Sequence, residues 1–323
     1  MLAGTKTAVL RQRRVSARHR NRIEKAFGEF AEWGHSFLNL DVTLYRSQPQ
    51  AMSELLAGYA QFLYSTKRPF SHANDAFLGV QNRYRGLRRH LQGAWDDLLT
   101  WKLELPVKMR MPIPKLVCWS LSGLSAAFSL VCEAAYADQW EGFALGCLLM
   151  FWGLLRPGEF WQLTFREITF PRTSRGIERM IITIREAKNM RSMGRLQTSI
   201  INNRVAIRWA ARAAKRHLLS DPVMPGGRQK FTRLLQWSLE LLGIPKNTFT
   251  CAGFRAGGAT AYFVQGMELA RLRVLGRWRN LLTLDHYIQE ASAAVSEHKL
   301  GEQKLRELQA FVSAAGFLRR PPS

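Results

Sequence analysis

The chain has 323 residues, of which 47% are hydrophobic and 11% aromatic, enough to build real cores and to exclude a disordered protein. Lysine and arginine number 47 against 24 acidic residues, a formal net charge of +23. Such an excess on a folded chain points to a polyanionic partner, nucleic acid first, although charge alone also fits ribosomal and membrane-surface proteins.

Residues 1–22 form a basic arm that carries Arg11, Arg13, Arg14, Arg18, Arg20 and Arg22 with almost no apolar anchor. Such an arm is either a solvated tail or a grip on phosphates or a nuclear-import signal. It contains no apolar stretch long enough for a signal peptide. From 23 to 103 the pattern is helical. "ELLAGYAQFLYS" places apolar residues three and four apart, and "FLGVQNRYRGLRRHLQGAWDDLLTWKL" does the same. In the second stretch Arg85, Arg88 and Arg89 stand at helical spacing and share one side. With little acid beside them, they are read as DNA-backbone contacts on a helical DNA-binding domain rather than as a merely solvated face. Residues 104–113 follow as a linker. "ELPVKMRMPIPKL" holds three prolines, which lack the amide donor and clash inside a helix. Lys108 and Arg110 suit a linker lying along a phosphate backbone.

The second domain is expected over 114–323. Apolar helices fill 114–155. The uncharged run at 116–132 falls short of the ~20 apolar residues needed to span a bilayer and is read as a core helix, with no membrane partner. The period then changes: "EITF", "RMIITIRE" and "LQTSII" alternate apolar and polar residues and read as short strands. "PRTSRG" and "AKNMRSMGR" supply the turns. Helices resume near 203 and run to the end, closing with an amphipathic tail that carries Leu300, Leu305 and Leu308. The expected fold is mainly α with one small antiparallel β-sheet. Cys118, Cys132, Cys147 and Cys251 lie far apart with no metal-ligand spacing. They are read as reduced thiols of an intracellular protein, and no metal or cofactor is expected.

Three segments carry chemistry. In "GLLRPGE", Arg156 ends an apolar run and Glu159 follows one helical turn later. In "CAGFRAGGAT", Arg255 sits in a similar apolar setting. "LGRWRNLLTLDHYIQE" contains Trp278 and Tyr287. Each residue alone has an ordinary reading: a structural ion pair for Arg156, core for Trp278, a half-buried helix tyrosine for Tyr287, a turn lysine for Lys188. In this order and spacing the segments resemble the boxes of the tyrosine recombinase (phage integrase) superfamily, which includes Cre, Flp and the Xer recombinases. The second-arginine box is in a form similar to that of some eukaryotic mobile elements. The resemblance covers about 114–290 and implies a helical core-binding domain followed by an α+β catalytic domain.

What the resemblance implies is a site-specific recombinase or integrase that cuts and rejoins double-stranded DNA through a covalent 3′-phosphotyrosine. Tyr287 would be the nucleophile, Arg156 and Arg255 the phosphate clamps, Lys188 the acid for the leaving 5′ oxygen, and Trp278 a partner of Tyr287. Glu159 would brace Arg156. Two guanidinium forks suit this work because they hold both the geometry and the charge of a phosphoryl group. The tail helix either closes its own domain or, as the resemblance implies, joins a homotetramer by docking on a neighbouring protomer; DNA-associated, intracellular residence, nuclear in a eukaryote, is implied too. One departure stands out. The family has His or Lys three residues before the second arginine, where this chain has Ala252. An alternative is therefore a weakened or inactive DNA-binding relic of a mobile-element recombinase.

Overall fold

The computed structural model describes residues 17–105, 111–173, 176–177, 179–185, 196–285, 287–288 and 290–314. Most of the basic arm lies outside that range, as do Lys108 and Arg110. The chain divides into two compact units, Met1–Lys108 and Met109–Ser323.

The first unit is built on α1 (Ala17–Leu38), α2 (Pro49–Ser65), α3 (Phe70–Arg83) and α4 (Gln92–Glu104). Helix α1 packs on α3, and α2 on α4. Pro49 opens α2 at a position where its missing amide costs nothing. Aromatic side chains fill the core: Phe30 and Tyr59 lie 5.3 Å apart between ring centres, and Phe77 meets Trp95 edge-on at 5.1 Å. At the start of α1, Arg22 reaches Asp75 at 2.8 Å.

The helical pattern read across residues 77–103 is not one continuous helix. Helix α3 stops at Arg83, a 3₁₀ turn covers Arg85–Arg89, and α4 begins at Gln92. Gly86 weakens any helix here. Both Leu87 and Leu91 must reach the core, and the tighter turn lets them. Arg85, Arg88 and Arg89 remain exposed. In a 3₁₀ turn residues three apart eclipse, so Arg85 and Arg88 share a side while Arg89 stands off it.

The second unit opens with the paired helices α5 (Lys115–Val131) and α6 (Ala134–Trp152). Helix α6 is buried from Glu141 onward, and its one buried charge there, Glu141, is met by Arg216 and by His217 at 3.1 Å. A single turn, α7 (Pro157–Phe160), leads to β1 (Ile168–Thr169), β2 (Arg172–Thr173), β3 (Gly176–Ile177), β4 (Met180–Ile184) and β5 (Gln197–Ile201). Strands β1, β4 and β5 form one antiparallel sheet in that order, with Ile182 opposite both Ile168 and Ser199. Met180, Ile182 and Ile184 face inward, as the alternation requires. The stretch expected as the first turn itself carries the β2–β3 pair. The second turn, with Lys188, lies outside the described residues.

Five helices follow: α8 (Arg204–Ala214), α9 (Gly227–Leu241), α10 (Cys251–Val264), α11 (Leu269–Leu275) and α12 (Leu281–Asp285). The Asn203 side chain caps α8 by accepting from the Ala206 amide at 3.0 Å. The tail, α13 (Glu290–Ala314), is interrupted at Gly301, whose φ is 74°. It packs on α5 and α10 of its own unit, and Leu308 is only 2% exposed. The fold is thus mainly α with a small antiparallel sheet. Cys118 and Cys147 are buried and all four cysteines are free. No helix among the described residues is long and apolar enough to cross a membrane.

Candidate active site

The site lies where α6 ends. Gly153 terminates the helix, and Leu154 turns into the left-handed region with φ 49°, a conformation uncommon outside glycine. The chain then extends through Arg156, and Pro157 starts α7. Glu159, in the same short turn, folds its carboxylate back on Arg156. Oε2 accepts from the Arg156 amide at 2.9 Å and Oε1 from the Arg156 guanidinium at 2.6 Å. Arg156 keeps 21% of its side chain exposed, whereas Glu159 keeps 2%.

Helix α10 delivers Arg255 to the same place. The guanidinium donates to the carbonyl of Leu154, and to that of Gly276 at 2.5 Å. Glycines make this approach possible. A methyl group at Gly257 would run into the Ile113 carbonyl, and one at Gly258 into the Phe151 carbonyl. The helix therefore lies backbone-to-backbone against its neighbours, which sets Arg255 deep enough to be 1% exposed.

The third segment leaves α11 at Gly276. Arg277 follows with φ 59°, then Trp278. A methyl at Gly276 would occupy the space of the Trp278 ring. That ring covers Arg255, whose guanidinium carbon is 4.4 Å from its centre, and tilts against Tyr287 at 5.1 Å. Arg255 also lies 5.3 Å from the Tyr287 ring centre, within cation–π range. The Tyr287 carbonyl accepts from Thr260 on α10 at 3.3 Å. Arg156, Glu159, Arg255, Trp278 and Tyr287 thus surround one spot. Arg85, Arg88 and Arg89 belong to the other unit.

The sequence reading missed Arg277. It is 4% exposed and binds Glu159 Oε2 at 2.8 Å and the Leu154 carbonyl at 3.2 Å. The signal was available: a charge inside "RVLGRW" poses the same question as Arg156 in its apolar run. Glu159 is consequently shared by two arginines, with Arg255 a third at 4.0 Å. Burial pushes the Glu159 carboxyl up, but Arg277, the Arg156 amide, Arg156 and Arg255 outweigh it and hold it below the ordinary carboxylate range. Burial pulls Arg255 down, and Arg277 and Arg156 add to the effect.

This concentration of positive charge carries donors in reserve. The Nε of Arg255 and the indole Nε1 of Trp278 are buried and have no hydrogen-bond partner among the described residues. Buried donors are almost always satisfied in folded proteins, so a pair of them beside a tyrosine suits an anionic ligand. Ala252 lies three residues before Arg255, in the first turn of α10, and offers no donor.

A helical unit followed by this mainly helical unit with its small antiparallel sheet is the fold of the tyrosine recombinases. Among solved structures, the chain resembles the XerH site-specific recombinase bound to palindromic difH substrate in a post-cleavage complex, with a TM-score of 0.50 and 12% identity over 86% of this chain and 77% of that one. It also resembles the Tn1549 transposon integrase in complex with circular intermediate DNA, with a TM-score of 0.51 and 12% identity over 85% of this chain and 99% of that one. No protein-family model and no curated protein matches the sequence.

Proposed function

We propose that the protein is a site-specific DNA recombinase or integrase that cuts and rejoins duplex DNA through a phosphotyrosine. The observation that carries this reading is the meeting of Arg156, Arg255, Trp278 and Tyr287, drawn from three distant segments, around one cationic spot with buried donors to spare. The fold shared with DNA-bound recombinases and integrases supports it.

In this reading the Tyr287 hydroxyl releases its proton to solvent and its oxygen attacks the phosphorus of one phosphodiester. A 3′-phosphotyrosine bond forms and the bond to the 5′ oxygen breaks. Lys188 gives the leaving oxygen its proton. The two arginines hold the non-bridging oxygens as charge builds, the kind of preorganised stabilisation that usually dominates catalysis. Attack by a free 5′ hydroxyl reverses the steps and reseals the strand, so the bond energy is kept without ATP. Arg85, Arg88, Arg89, Lys108 and Arg110 contact the DNA backbone. Four copies assemble on DNA through the tail helix, for which the break at Gly301 supplies a joint. The protein works where its DNA is, inside the cell, and in the nucleus of a eukaryotic host. The domains divide as an arm at 1–22, whose last six residues already belong to α1, a core-binding domain at 23–103, a linker at 104–113 that starts on the last residue of α4, and a catalytic domain at 114–323.

The test uses a pool of random-sequence duplexes, each nicked so that cleavage releases a short fragment and traps the intermediate. Denaturing capture should recover DNA covalently bound to the full chain, and none with Tyr287→Phe. An adduct that persists in Tyr287→Phe would move the nucleophile elsewhere. The absence of any adduct, even with Ala252→His, would leave only the DNA-binding relic.

A further inference from the structure

Arg277 has no place in the mechanism just given, yet it is more deeply buried than Arg156. It is nearly as buried as Glu159, and its guanidinium spans two segments that are far apart in sequence. One nitrogen reaches Glu159 Oε2 at 2.8 Å and the Leu154 carbonyl at 3.2 Å, and the other points to the carbonyls of Gly153 and Leu275. Its own backbone adopts φ 59° to do this, and Leu154 adopts φ 49° opposite it. Two non-glycine residues in a disfavoured conformation, joined by the hydrogen bond from the Arg277 guanidinium to the Leu154 carbonyl, are strain that the surrounding contacts must hold in place.

The consequence follows from Glu159 and its three arginines. Oε2 lies 2.8 Å from Arg277 and 4.0 Å from Arg255. While Arg277 occupies that oxygen at 2.8 Å, Glu159 remains a brace for Arg156 and meets Arg255 only at 4.0 Å, without a hydrogen bond. Without Arg277, a buried carboxylate short of a partner has one cation within easy reach, and a buried charge is costly to leave uncompensated. Pairing would draw Arg255 from beneath Trp278 and cancel its charge. Arg277 also fixes the residue next to it, Trp278, which covers Arg255 at 4.4 Å.

We propose that Arg277 is a positioning residue: it holds Glu159 on Arg156 and keeps it from closing on Arg255 beyond their 4.0 Å pair, and it locks the Trp278 segment onto the Leu154 turn. It does not touch DNA. With three arginines around one carboxylate, the cluster retains two positive charges for an anion. The catalytic part of the proposal rests on the recombinase reading, whereas the structural coupling does not.

Two measurements on the full chain test it. The first uses the nicked duplex pool at saturating concentration, with Arg277→Gln, Arg277→Gly and Arg277→Lys. The glycine variant removes the guanidinium while relieving the backbone, so it guards against a failure to fold. A misplacement of about 1 Å can cost ~10²-fold in rate. Adduct formation should slow about 10- to 100-fold in the Gln and Gly variants, while the affinity for the pool stays within about twofold. Arg277→Lys should recover part of the rate. An unchanged rate, or an affinity that falls in step with it, overturns the proposal. The second measurement is hydrogen exchange without DNA. Arg277→Gln should speed exchange in the 153–156 and 275–279 segments together, while the core of α6 keeps its protection. No change in either segment overturns the coupling. If neither the parent nor Ala252→His forms an adduct, the recombinase reading fails, and exchange alone decides the role of Arg277.

Discussion

Glu159 shows how one side chain sets the behaviour of the whole site. Its carboxylate is buried, shared by Arg156 and Arg277, and held below the ordinary acid range by them despite the opposing effect of burial. The consequence for stability has a definite sign. A carboxyl group whose folded pKa is depressed stabilises the fold above its unfolded value, about 4.3, and that contribution is lost as pH falls through the folded value. Melting temperature should therefore drop below about pH 4 in the parent. In Glu159→Gln that acid limb should be shallower and the neutral-pH melting temperature lower, because two buried arginines lose their counter-charge. Thermal melts from pH 2.5 to 7 check this, and an identical acid limb in both proteins would contradict it. Arg156 and Arg255 stand out in the sequence as arginines beside apolar runs, whereas Trp278 and Tyr287 are picked out only by the shared order and spacing of the three segments. The role of Arg277 is not legible because its carboxylate partner, Glu159, is more than a hundred residues away in sequence.

At the level of elements, α10 sets the geometry. Its glycines let it pack against the Ile113 and Phe151 carbonyls, so Arg255 arrives at the right depth. Overpacking typically costs ~1–3 kcal/mol. Gly257→Ala should reach the upper end or beyond, since the obstruction is backbone and cannot turn aside. Chemical denaturation should show a lower midpoint with an unchanged slope. A midpoint within error of the parent would mean that α10 is free to shift. Gly276→Ala acts differently, because what it meets is the Trp278 ring. It should displace that ring and weaken Arg255 chemistry more than stability. The long helices of this unit and its β4 and β5 strands could be read from period and turn residues, since they are long or alternate regularly. The break at Arg85–Arg89 could not, because arginine and leucine favour a helix and only the need to bury both Leu87 and Leu91 selects the tighter turn. The β2–β3 pair escaped notice because two-residue strands have no period to detect.

For the whole molecule, the charge of +23 dominates. It is spread over both units, and in the first unit Arg85, Arg88 and Arg89 stand exposed on one turn. If that turn follows a DNA backbone, each arginine that meets a phosphate releases condensed counterions. The logarithm of affinity should then fall with the logarithm of salt concentration by about 0.9 per contact. Binding to a random duplex, measured from 50 to 300 mM salt, should give a steep straight line for the parent. Arg85→Ala and Arg88→Ala, which share a side, should each reduce the slope by close to one contact. Arg89→Ala should reduce it less, because the 3₁₀ geometry turns its side chain away from the other two. Arg277→Gln, buried in the other unit, should leave the slope alone. Equal effects at all three exposed positions would point to a diffuse electrostatic field rather than a docked turn. A slope that none of them alters would place the DNA contacts of the first unit on another surface.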